Sequence, residues 1–81
     1  MTRTLVRILA QLSLFLEFSD ESVLDLDTAV KQQEALASQL QQLPPADRQE
    51  FIRILRQVAD EHPFENEKKY LKELPAMVGI D

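Results

Sequence analysis

The chain has 81 residues, enough for one domain, and its 44% apolar fraction is ordinary for a globular protein. Its formal net charge of −5 argues against nucleic acid and anionic membranes as partners, because both attract Lys and Arg. With no Cys and one Gly, the sequence excludes disulfides, thiolate metal sites and glycine-rich phosphate loops.

The first predicted element is an amphipathic helix over residues 3–18. Six large apolar residues share one stripe at about 100° per residue, and we expect this stripe to be buried. They are Leu5, Ile8, Leu9, Leu12, Phe15 and Leu16. Leu14 and Phe18 fall on the opposite side, beside Arg7, and need a second cover. We expect the next loop or the C-terminal tail to cover them; an exposed apolar contact for a partner is the alternative.

A connector over residues 19–25 precedes the second predicted helix, residues 26–43. Ser19 can cap a short turn in the connector, and Asp25 is the expected N-cap of the second helix. The second helix has a regular apolar period beneath its glutamines, which predicts a buried stripe. That stripe contains Leu26, Ala29, Val30, Gln33, Leu36, Ala37, Leu40 and Leu43.

The segment "LPPADRQEF" ends the second helix and starts a third, because Pro45 suits the first helical turn. The third helix should run to about Glu61, with six residues buried. They are Phe51, Ile52, Ile54, Leu55, Val58 and Ala59. A shorter helix should follow from Glu65 to Leu74 and end at Pro75.

We expect the apolar tail to close one end of the core with three side chains. They are Met77, Val78 and Ile80. No strand pattern is present. The sequence therefore predicts an all-α fold: residues 1–81 form a single helical domain, a small bundle of three longer helices plus a short fourth helix. The short links favour antiparallel neighbours.

Residues that could support chemistry are sparse. Asp20, Asp25 and Asp27 lack the spacing and the glycine of a calcium loop. His62 is the one histidine, and its place at the end of the third helix favours a structural role. No serine has a motif that would activate it. We expect no metal, no cofactor and no enzymatic activity. The bases of the second half alternate with acids, which also argues against nucleic acid.

The segment "EFSDESVLDLD", residues 17–27, is called the acidic segment below. It has five carboxylates and no base: Glu17, Asp20, Glu21, Asp25 and Asp27. A field of one sign would steer a basic partner, with Phe18 and Leu24 as apolar anchors beside Leu14 and Val23. In the alternative interpretation, the acids cap helices and stay hydrated while the apolar residues turn inward.

The stretch "FSDESVLDLDTAVKQQEALASQLQQLPPADRQEF" combines an acid-rich link, a long helix and a proline-initiated helix. In this layout the chain resembles the small acidic all-helical immunity proteins of bacteria. The resemblance implies a cytoplasmic, non-enzymatic inhibitor that occludes the active site or substrate groove of a basic toxin domain. The alternative is a homo-oligomeric helical scaffold or adaptor with Leu14 and Phe18 as the self-contact.

Overall fold

A computed structural model of the chain describes residues 2–81 and contains four α-helices. They are α1 (Arg3–Phe18), α2 (Leu26–Gln41), α3 (Pro45–Asp60) and α4 (Glu65–Met77). Three helices have 16 residues and α4 has 13, and none of the described residues forms a strand. The all-α fold class and the pattern of three longer helices and one shorter helix agree with the prediction.

Local signals in the sequence explain where the helices begin. The Thr2 hydroxyl accepts a hydrogen bond from the Leu5 backbone N–H, 3.3 Å away, and starts α1. Asp25 caps α2, as predicted, by accepting from the Thr28 backbone N–H at 3.1 Å. Pro45 occupies the first turn of α3, where its missing N–H has no cost. The acids Asp27 and Asp47 lie in the first turns of α2 and α3, near the positive ends of those helices.

The core is centred on α3, which packs most extensively against α4 and α1. Phe51 and Leu55 are almost fully buried, and Leu71 of α4 and Val6 of α1 complete the set of large enclosed side chains. The predicted face of α3 is confirmed at Phe51, Ile54, Leu55, Val58 and Ala59, with Ile52 half-buried. None of the helices within residues 2–81 has the length and apolar character needed to cross a membrane.

The prediction for the buried face of α1 was wrong. The residues buried in the core are Val6, Ala10, Ser13 and Leu14, and Leu9 is half-buried. Leu14, which we expected to need a separate cover, is itself part of the core. Because Ala10 and Ser13 are small, neighbouring helices can approach the α1 axis on this side. The larger side chains of the predicted stripe therefore lie mostly on the outside.

The predicted stripe of α2 is buried in only two places, Ala29 and Leu40. Leu26 and Val30 are 59% and 41% exposed, and the other members of the stripe are half-buried. The reason is that α2 packs mainly against α1 and has few contacts with α3 and α4. An open groove is left on the side of α2 that faces α4.

The fourth helix does not end at Pro75, as predicted, but continues to Met77 with Pro75 buried inside it. Proline removes only one helical hydrogen bond, and near the C-terminus this loss interrupts little of the helix. Gly79, with φ of 78°, then reverses the chain so that the Ile80 N–H donates to the Pro75 carbonyl at 3.0 Å. Ile80 is buried, as expected, and Val78 is half-buried, but Met77 is 55% exposed.

Two arginines of α1 meet one carboxylate at the end of α3. Arg7 donates to both oxygens of Glu61 at 3.0 Å, and Arg3 donates to the same carboxylate at 3.1 Å. The pKa of Glu61 is lowered from its ordinary value of 4.5, first by the hydrogen bond from Arg7 and further by the charges of Arg7 and Arg3. This contact joins the first helix to the third.

A lowered carboxyl pKa in the folded state stabilises the protein above the pKa of the unfolded chain, and the contribution is lost as pH falls through the folded pKa. We therefore expect Glu61→Gln to lower the melting temperature slightly at pH 7. The difference from the parent should narrow below pH 4.5 and vanish at lower pH. Thermal melts followed by circular dichroism between pH 2 and 7 measure this. A difference that does not change with pH would contradict the assignment.

Candidate protein-binding surface

The acidic segment, residues 17–27, covers the last turn of α1, the connector and the first turn of α2. Its carboxylates differ in what they contact. Asp20 accepts hydrogen bonds from the backbone N–H and the hydroxyl of Ser22. These bonds, the side-chain one first, lower the pKa of Asp20. The residue that organises the connector turn is therefore Asp20, where we expected Ser19.

Asp25 is likewise engaged locally, as the N-cap of α2. Two other acids, Glu21 and Asp27, are exposed, and their carboxylates have no hydrogen bond or ion pair within residues 2–81. Asp25 thus caps a helix and Asp20 stabilises the connector turn, whereas Glu21 and Asp27 point a negative charge into solvent.

Glu17 faces a different direction from the rest of the segment. Its carboxylate lies 3.5 Å from the side-chain amide of Gln33, on α2. It lines the groove between α2 and α4, which has a volume of about 270 Å³ and mainly apolar walls, Leu40 and Leu74 among them. Burial, followed by the charge of Glu17, raises the pKa of Tyr70 at the same groove.

The apolar side chains of the acidic segment are divided between the interior and the surface. Val23 is 65% exposed and Leu26 is 59% exposed, whereas Leu24 is half-buried. Phe18 is partly exposed, and its ring packs edge-on against Tyr70 with the centroids 5.7 Å apart. Within the acidic segment, Leu26 is therefore the surface residue that the sequence reasoning missed, because periodicity placed it in the core.

The connector and the first turn of α2 thus have two solvent-directed acids and two exposed aliphatic side chains: Glu21, Asp27, Val23 and Leu26. We call these four residues the connector patch. Along the chain the two apolar members, Val23 and Leu26, lie between the two acids.

Other chemistry-bearing side chains are isolated. Within residues 2–81, no three His, Asp or Glu side chains are grouped as a metal site would require. His62 lies beside Glu67, with Nδ1 3.3 Å from the carboxylate, on the turn between α3 and α4.

Comparison of the chain with protein-family models, with curated proteins and with solved structures finds no match in any of the three.

Proposed function

We propose that the chain is a protein-binding inhibitor of the immunity type, which associates with a basic toxin domain and neutralises it by occlusion. The observation on which this proposal depends is the connector patch. It offers negative charge that has no basic partner among residues 2–81, together with solvent-exposed apolar side chains.

Charge of one sign at an exposed edge accelerates encounter with a surface of opposite sign and disfavours acidic competitors. It supplies little net affinity, because charges lose hydration when they are buried. Val23 and Leu26 supply the apolar area that charge alone lacks, and Phe18 lies on the neighbouring turn of α1, braced by Tyr70.

The experiment first identifies a partner by affinity capture. The chain is immobilised through an N-terminal tag and incubated with a lysate of its native host, and each captured protein is purified. Association is then measured at low salt for Glu21→Lys/Asp27→Lys. We expect the association rate to fall about tenfold or more. Neither position caps a helix, and a lysine at Asp27 near the positive end of α2 costs only a fraction of a kcal/mol, so the helical circular dichroism signal should fall little.

The matched control is Glu73→Lys/Asp81→Lys, which alters the net charge equally at exposed positions outside the acidic segment. It should bind at nearly the parental rate. If the association rate falls equally in both variants, net charge alone explains the effect and the connector patch is not the binding site. A partner that keeps its activity in the complex would contradict inhibition.

A further inference from the structure

The outer side of α1 exposes four large apolar side chains. Leu5, Ile8, Leu12 and Phe15 are 55%, 47%, 49% and 48% exposed. Their spacing of three, four and three residues puts them on one side of the helix, away from the core residues Val6, Ala10, Ser13 and Leu14. We call these four exposed residues the α1 outer face. A helix that is apolar on both sides needs cover on both sides.

We propose that two copies of this chain pair through the α1 outer face, with their first helices antiparallel. This inference uses different residues from the connector patch and does not depend on the proposed function.

The charges of α1 favour a second copy as the occupant. Two chains of net charge −5 repel each other unless their contact avoids acids. No residue from Ile8 to Leu16 is charged, so the centre of the contact contains no like charges. The bases of α1, Arg3 and Arg7, lie at its N-terminal end, and the acidic segment begins at its C-terminal end.

Antiparallel pairing uses this asymmetry, because it sets the basic end of each α1 against the acidic end of the other. Parallel pairing would place the two acidic segments side by side. The helix dipoles also favour the antiparallel arrangement. Arg3 and Arg7 lie on the side of α1 away from the outer face, where they contact Glu61, so their charges add to the field at this end of the helix and make no direct contact across the pair.

The spacing of the α1 outer face corresponds to the a and d positions of a heptad. In an antiparallel pair, Leu5 faces Phe15 of the other copy, and Ile8 faces Leu12. The same four side chains thus form both halves of an isologous contact, as two-fold symmetry requires. Gln11, at the edge of the face, then lies within about 3 Å of its counterpart along the helix axis.

The area agrees with a weak dimer. A large apolar side chain offers on the order of 150 Å² when open, so four half-exposed ones offer roughly 300 Å² per copy. Two copies bury about 600 Å² from these side chains alone, which is below the standard size of a stable, specific interface. An interface of this size predicts a weak, transient dimer.

Sedimentation equilibrium between about 1 and 200 µM tests the proposal. We expect the parent to shift from 9.3 kDa toward twice that mass as concentration rises. Leu12→Glu should raise the dissociation constant at least tenfold while the circular dichroism spectrum stays helical, because Leu12 is half exposed. The control Val23→Glu adds the same charge at an exposed aliphatic residue outside α1 and should dimerise like the parent.

A parent that is monomeric at 200 µM would overturn the proposal. Equal effects of Leu12→Glu and Val23→Glu on the dissociation constant would also overturn it. A monomer that co-sediments with phosphatidylcholine vesicles would overturn it in favour of a lipid surface.

The absence of Cys from the chain permits a test of whether the paired helices are antiparallel. With a short bismaleimide cross-linker, Gln11→Cys should form a covalent dimer, but Thr4→Cys should not, because antiparallel pairing separates its two copies by roughly 18 Å along the helix axis. Cross-linking of both variants would mean parallel helices, because parallel pairing sets each residue level with its own counterpart.

Discussion

Replacing Phe51 with Ala is expected to lower the free energy of unfolding by about 3–5 kcal/mol. Phe51 has no exposed surface and is the largest of the fully buried side chains. It belongs to α3, the helix on which the core is centred, so the neighbouring helices cannot collapse into the space without losing other contacts. A domain of this size has little stability in reserve, and the loss should leave a large fraction of the chain unfolded at 37 °C.

Urea unfolding followed by circular dichroism measures this effect. Phe64→Ala is the matched control, because it makes the same change at a side chain that is 61% exposed. We expect the control to change the midpoint little. If Phe51→Ala and Phe64→Ala lower the free energy of unfolding by comparable amounts, the core is not centred on Phe51.

The second large effect concerns which side of α1 faces the core. Ala10→Glu is expected to prevent folding, since Ala10 has no exposed surface and the added carboxylate would have no partner there. An unpaired buried charge costs several kcal/mol, which is comparable to the whole stability of a small domain. Ile8→Glu makes the same kind of change two residues away, where the side chain is 47% exposed, and should remain folded.

Far-ultraviolet circular dichroism and thermal melts at micromolar concentration compare the two variants. If Ile8→Glu unfolds and Ala10→Glu folds, the helix faces the core with its larger apolar stripe, as periodicity predicted. If both unfold, α1 is covered on both sides within one chain.

Helix positions could be predicted because their signals are local. Asp25 caps α2 and Pro45 opens α3 at the positions that the sequence indicated. The end of α4 was wrong because burial of Pro75 and the turn at Gly79 together stabilise a helix that proline would interrupt in isolation.

The orientation of α1 could not be predicted from periodicity, because the helix has two apolar sides. Periodicity selects the side with the larger residues, whereas the core uses the side where small Ala10 and Ser13 admit neighbouring helices. Leu26 of α2 was placed inside for a similar reason. Its periodicity is correct, but no helix lies opposite to cover it.

The acidic segment could be recognised from composition, and the role of each carboxylate could be predicted only where a cap was evident. Asp25 precedes an apolar period and was identified as a cap. The role of Asp20 depends on how the connector turns back on Ser22, which the sequence does not specify. The solvent-directed acids Glu21 and Asp27 are distinguished by what they do not contact, and that is a property of the folded chain.

The sparse burial of α2 has a consequence for how the molecule opens. The helix contributes only Ala29 and Leu40 to the interior, and its far end is held by the Gln41 side-chain amide, which donates to the Val78 carbonyl at 2.8 Å. Few contacts need to break for α2 to detach while α1, α3 and α4 stay assembled. Its amide hydrogens should therefore exchange with solvent through a subglobal fluctuation, at a lower free energy than the protected amides of α3.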